Sequence, residues 1–238
     1  MKICKWFLIL ILGFCASVMF GAEIISDYSF SNVEDLKTWQ TAAGASIPDS
    51  GKLASFYTLE MEEGLPFLRT KSTFGILAKL KKDITIDEKT EYVEVSVLMR
   101  KPANTATLAA FALTSRVKYQ EGAFTRARDS GFGIKGYQYS NQSANCIYWR
   151  RDGEMNVFNS PREPFGLLDA ETGKKSGWFE WKLIYDHRGH TLSFYRKDET
   201  KPFIIQRNVD LTGIVLSGVW LHSDGLEYQK AIVKHITK

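Results

Sequence analysis

Between residues 90 and 222 the chain repeatedly alternates apolar and polar positions with a period of two. Val93, Val95, Val97 and Met99 interleave with Glu94, Ser96 and Leu98. Phe179, Trp181, Leu183 and Tyr185 interleave with Glu180, Lys182 and Ile184. Such alternation marks strands with one face turned to a core. Asp186-His187-Arg188-Gly189 predicts a turn, with Gly189 supplying a positive φ, and Thr191 to Tyr195 returns as the partner strand. A second turn around Asp198 to Pro202 leads into Phe203-Ile204-Ile205-Gln206, and Val219 and Leu221 anchor one more strand. This is an antiparallel meander of the kind that stacks into sandwiches.

The same reading extends along the chain. Ile24 to Phe30 predicts the opening strand, and Val33 to Trp39 a short helical turn capped by Asn32. Leu53 to Met61, Phe74 to Leu80, Ile84 to Ile86, Glu91 to Arg100, Leu108 to Ser115 and Gly131 to Tyr137 predict strands, with Gly64-Leu65-Pro66 as a turn. Ile147 to Arg150 and Met155 to Phe158 flank an Asp152-Gly153 hairpin turn. Ala42 to Gly51, Val117 to Asp129 and Ser160 to Lys175 have no clean period and predict loops. No long helical pattern, repeat or heptad is present. The fold class expected is all-β: a two-sheet antiparallel β-sandwich, a single domain after a signal peptide.

Trp181-Lys182-Leu183-Ile184-Tyr185-Asp186, the Gly turn and Leu192-Ser193-Phe194-Tyr195 resemble the late strands of the concanavalin A-like lectin/glucanase superfamily, which includes laminin-G-like domains. Tyr92 to Arg100 is similar to a central strand of the same folds. The likeness covers about half the chain and speaks to fold before function. It implies a jelly roll and, by analogy, a glycan-binding role. Many relatives hold a structural Ca²⁺ with acids near the first and last strands. Asp27 would serve at the first, but the last strand reads Tyr228-Gln229-Lys230 where relatives place an acid.

Composition changes this picture mainly at the ends. The chain has 238 residues, 44% hydrophobic and 13% aromatic, enough for one sizeable core. Lys2 and Lys5, the apolar run Trp6 to Phe14 and the small residues up to Ala22 read as a signal peptide over residues 1–22, leaving a domain over 23–238. That implies a secreted or periplasmic protein, with no stable membrane span after processing. The rival reading is a lipoprotein at Cys15, against which Phe14 stands where a small residue belongs. Processing takes the net charge from +4 to +2, too near neutral for a nucleic-acid partner. It leaves Cys146 alone, so the mature chain has no internal disulfide, and Cys146 reads as a small buried hydrophobe.

The catalytic signatures are weak. A laminarinase-like enzyme would carry Glu-x-Asp-x-x-Glu, placing carboxylates ~6.6 Å apart on one strand face. Glu60/Glu62 and Asp169/Glu171 have the spacing without the rest of the signature and read as solvated charges. His187, His190, His222 and His235 have no convergent third ligand in sequence. Gly131, Gly133 and Gly136 imitate a phosphate loop poorly, and no Gly-x-Ser-x-Gly elbow exists. Asn141-Gln142-Ser143 is a glycosylation sequon that matters only in a eukaryotic secretory path.

Aromatic and polar strand residues remain. If Val219 and Leu221 face the core, Trp220 and His222 face the other way, suited to stacking on and bonding to a sugar ring. Tyr137, Tyr139, Trp149 and Arg150 are further ligand-binding candidates. The expectation is a non-catalytic glycan-binding domain. A divergent glycoside hydrolase or polysaccharide lyase, and a structural or protein-binding surface module, are the alternatives.

Overall fold

The computed structural model describes residues 21–40, 57–70, 75–100, 107–115, 129–138, 144–150, 155–159, 177–196, 198–223 and 226–238. The predicted loops at 42–51, 117–128 and 160–175, the sequon, Tyr139, Asp169, Glu171 and the apolar leader run lie outside the described residues.

In chain order the elements begin with β1 (Gly21–Ser29), α1 (Val33–Leu36), β2 (Trp39–Gln40), β3 (Tyr57–Glu62) and β4 (Leu65–Thr70). There follow β5 (Gly75–Thr85), β6 (Thr90–Arg100), β7 (Thr107–Thr114), β8 (Gly131–Gln138), β9 (Ala144–Trp149) and β10 (Met155–Asn159). The last are β11 (Phe179–Asp186), β12 (Thr191–Tyr195), β13 (Ile204–Arg207), β14 (Val215–Ser223) and β15 (Glu227–Thr237). They form two antiparallel sheets. The eight-stranded sheet runs β13-β12-β11-β6-β15-β4-β3, with β1 also on β15; the seven-stranded sheet runs β10-β9-β8-β7-β14-β5-β2. This is the two-layer jelly-roll sandwich that the alternation implies.

Register makes the core. Trp181, Leu183 and Tyr185 lie opposite Val97, Val95 and Val93, and all six are buried. A slip of one residue would turn this whole set to solvent, so the pairing is strongly specified. The second sheet contributes Phe111, Leu113, Phe132, Ile134, Val219 and Leu221 to the same core. Aromatic rings tie the layers together: Phe111 meets Phe194 at 6.4 Å and Phe132 meets Tyr185 at 6.0 Å between centroids. Such pairs contribute about 0.5–1.5 kcal/mol each beyond burial. Cys146 is buried in this core as expected.

Several local expectations change. Helix α1 is capped as read: the Asp35 N–H donates to Asn32 Oδ1 at 3.0 Å, and the Asn32 N–H donates to Asp35 Oδ2 at 3.2 Å. The turn expected over Gly64-Leu65-Pro66 instead sits on Glu63 and Gly64, with φ of 52° and 80°. Two consecutive positive φ values match the twist of a tight hairpin, so Leu65 and Pro66 already belong to β4, a strand that the periodicity does not reveal. Phe74–Leu80 and Ile84–Ile86 are not two strands: β5 runs from Gly75 to Thr85, with an irregularity opposite Leu216/Gly218. The exposed Lys81-Lys82-Asp83 run interrupts the alternation without ending the strand. After β11 the positive φ falls on His190 (47°), not on Gly189. Gly189 instead lies against the Asp186 side chain. Its N–H donates to Asp186 Oδ1 at 2.8 Å, and a Cβ there would lie 2.6 Å from Asp186 Oδ2.

Candidate functional site

Val219 and Leu221 turn into the main core, so the alternation sends Gly218, Trp220 and His222 to the outer face of the seven-stranded sheet. The side is as expected, but the exposure is not. Trp220 is only 6% exposed and belongs to a second apolar cluster with Leu77, Ala112, Ile147 and Trp149, itself 5% exposed. Register explains the grouping. Trp220 lies opposite Leu77 and Ala112, Ala112 opposite Gly133, and Gly133 opposite Ile147. Ala112 and Gly133 leave the space that large neighbours fill. Neither tryptophan is an open platform; together they build a rigid apolar floor.

Trp149 is fixed from below and from the side. A Cβ on Gly131 would lie 2.8 Å from Trp149 Cζ2 and 2.2 Å from Leu113 O, so only glycine fits under the indole. The Trp149 Nε1–H donates to Asp129 Oδ1 at 3.2 Å, and the Thr114 hydroxyl donates to Asp129 Oδ2 at 3.0 Å. Hydrogen bonds to a buried carboxylate contribute about 1.5–3 kcal/mol each. Sequence reasoning missed Asp129. The Gly-x-Gly spacing in a strand, a mark of close backbone approach, was the signal available.

One strand step away lies a polar row. His222 is opposite Ala110 and Gly75, Ala110 opposite Lys135, Lys135 opposite Asn145, and Asn145 opposite Asn159. These register positions cross β14, β7, β8, β9 and β10 on the face that holds Trp220. Tyr137, opposite Leu108, starts the next row of that face. The structure therefore places Trp220, Trp149, His222 and Tyr137 on one face. Lys135, Asn145 and Asn159 join them only through pairing between distant segments.

Arg150 does not join this face. Its Nη1 donates to Asp210 O at 2.8 Å, tying the end of β9 to the segment before β14. Asp27 forms an ion pair with Lys230 at 3.2 Å, and no group of three His, Cys, Asp or Glu among the described residues converges to hold a metal. Glu60 and Glu62 are not the free solvated charges expected. Glu60 pairs with Arg69 at 2.7 Å and Glu62 with Arg100, and both lie on the other sheet. His187 lies 3.3 Å from the Tyr185 hydroxyl and His190 flanks the same turn, matching the turn histidines expected. No described helix is long and apolar enough to cross a membrane.

No protein-family model matches the sequence, and no curated protein does either. The fold has solved counterparts. A galectin-like-fold protein of unknown function from Bacillus subtilis is 11% identical over 92% of this chain and 100% of its own, with a TM-score of 0.56. The globular domain of T. cruzi calreticulin is 13% identical over 89% of this chain and 88% of its own, with a TM-score of 0.55. An endo-1,3-beta-glucanase from Streptomyces sioyaensis is 12% identical over 91% of this chain and 96% of its own, with a TM-score of 0.53. At such identity the likeness is one of fold: a jelly roll of the concanavalin A-like kind, as the strand motifs implied.

Proposed function

We propose that this jelly-roll chain is an exported glycan-recognition domain whose ligand lies across the outer face of the seven-stranded sheet. The observation that carries the reading is the pairing of two rows on that face. One row holds Trp220 and its apolar neighbours, and the next holds His222, Lys135, Asn145 and Asn159 at successive strands. Sugars present rows of hydroxyls, so a row of donors and acceptors held in place by a buried apolar row beside it suits a chain lying across the strands. The burial of both indoles recasts their part. They hold the floor flat, and the polar row carries the contacts that distinguish one glycan from another. A carbohydrate role is in keeping with the fold likeness to an endo-1,3-beta-glucanase. Export rests on the Lys2/Lys5 and Trp6–Phe14 pattern in the sequence.

A glycan array, followed by calorimetry on the best hit, tests the reading. The double variant His222→Ala/Lys135→Ala is expected to lose at least tenfold in affinity while its melting temperature stays within about 2 °C. An array with no hit, or an undiminished affinity in the variant, overturns it. Release of reducing ends from the bound polysaccharide would make the protein an enzyme instead. Intact mass of exported material checks the leader: a mature chain starting near Glu23 is expected, and a lipid-modified Cys15 would refute it.

A further inference from the structure

The outer face of the other, eight-stranded sheet carries a cavity of about 280 Å³ that the proposal above does not use. Lys182 and Ile184 of β11 and Tyr195 of β12 form its floor, with Glu180 and residues 198–200 as its rim. Trp181, Leu183 and Phe194 point into the core, so the alternation presents these floor residues outward.

The rim is built, not incidental. The Asp198 N–H donates to Glu180 O at 3.0 Å, and the Glu180 N–H donates back to Asp198 Oδ1 at 2.6 Å. This reciprocal pair holds Asp198 at φ 60°, in the left-handed region that non-glycine residues seldom adopt. The next residue is anchored as well. The Arg196 Nε–H donates to Glu199 Oε1 at 2.8 Å, and the Arg196 guanidinium lies 3.9 Å from the centroid of the Phe203 ring.

Charge decides the ligand class. The Asp198 carboxylate accepts the Glu180 N–H, Glu199 is paired with Arg196, and Glu180 lies 3.4 Å from Lys182 Nζ. Lys182 Nζ is also 5.8 Å from the Tyr195 ring centroid, taking the place where a cationic ligand would stack. An incoming cation would have to displace Lys182, and an anion would meet three carboxylates. A neutral polyhydroxylated ring has neither difficulty. Its C–H face packs on Ile184 beside the occupied Tyr195 ring, while its hydroxyls bond the Lys182 ammonium where it stands, the remaining carboxylate lone pairs and the Thr200 hydroxyl. The volume is close to the lower end of the ~300–1,000 Å³ of pockets that enclose drug-sized ligands, which is room for one ring.

We propose that this cavity is a second binding site, for a single neutral pyranose ring, on the sheet opposite the first. The test is a titration of the full chain with methyl glucoside, methyl galactoside and methyl mannoside, followed by amide shifts. Saturable shifts over residues 180–200 in the millimolar range are expected with at least one of them. Tyr195→Ala and Thr200→Val should each weaken that binding, Tyr195→Ala by tenfold or more, whereas His222→Ala should leave it unchanged. The last variant separates this site from the other face, so either proposal can fail alone. Thr200→Val keeps the test decisive if Tyr195→Ala does not fold. The inference is overturned by the absence of saturable shifts with all three glycosides, by equal affinity in Thr200→Val and wild type, or by tetramethylammonium binding where the glycosides do not.

Discussion

Trp181 and Trp220 sit on strands of different sheets and serve different clusters. Trp181 is 1% exposed, and its ring stacks on Phe194 with centroids 6.1 Å apart. Truncation to alanine is expected to cost about 3–5 kcal/mol in urea unfolding. Trp220 is buried in the smaller cluster, so Trp220→Ala is expected to cost about 3 kcal/mol as well. A midpoint unmoved in Trp220→Ala would mean that the outer face is open and the indole free. His235 shows a different residue-scale effect. Its Nε2 lies 3.1 Å from the Thr90 hydroxyl, and burial holds its pKa below the ordinary value. Asp87 and Glu23 pull it back up, and Lys82 adds to the lowering. The folded state therefore binds a proton less readily than the unfolded chain. This contribution to stability is complete above the unfolded pKa of ~6.5 and is lost as pH falls through that value toward the lower folded one. In unfolding curves taken from pH 8 to pH 5, His235→Gln should remove part of the acid-side loss; an unchanged slope would assign that loss to other groups.

The β3–β4 hairpin is the element whose attachment the structure explains best. It joins the eight-stranded sheet where Leu68 and Arg69 of β4 lie opposite Tyr228 and Glu227 of β15. Glu227 has no solvent exposure, and it bonds Arg69 Nε at 2.8 Å and Arg100 Nε on its two oxygens. Arg69 also reaches Glu60, and Arg100 also reaches Glu62, so two arginines and three glutamates bind β3, β4, β6 and β15 together. Arg100 further lies 4.2 Å from the Trp178 ring centroid and 5.1 Å from that of Phe67. Buried pairs return little net energy when made, because desolvation offsets attraction, but breaking one strands a charge. Glu227→Gln is expected to cost about 3 kcal/mol, the low end of the usual range, since both arginines keep a second carboxylate. Hydrogen exchange should show residues 57–70 losing protection before the central strands. Uniform loss across the sheet would mean that the network does not hold the hairpin.

At the scale of the whole molecule, the main apolar core draws side chains from both sheets, and only the small cluster around Trp220 belongs to one sheet alone. Unfolding should therefore be a single transition. Cys146 is a built-in reporter of it. The thiol is fully buried on β9, and burial pushes its pKa up, so it is unreactive in the native state. Its modification by a disulfide reagent in urea should follow the same curve as tryptophan fluorescence. Labelling well before the fluorescence change would show the seven-stranded sheet opening by itself. The same architecture leaves each sheet an outer face free to differ: an apolar floor with a polar row on one, a charge-balanced cavity on the other.

The one-dimensional pattern was enough for the class of fold, most strand positions and the sides of Trp181, Val219 and Trp220. Period-two alternation is a property of a single strand and needs no partner. It could not say that Leu65–Thr70 is a strand, because Pro66 and the Phe67-Leu68 pair break the alternation while both faces of β4 are covered. Nor could it say that the side holding Trp220 is covered. Coverage depends on Leu77, Ala112, Ile147 and Trp149, which come from three other strands. Arg150 was grouped with Trp149 as its neighbour in sequence, yet adjacent strand residues face opposite ways, and its partner is a carbonyl 60 positions on. The polar row, the Asp129–Trp149 bond and the Glu227 network are likewise meetings of distant segments. Local sequence dictates which way a side chain turns; only the register between strands decides what it meets there.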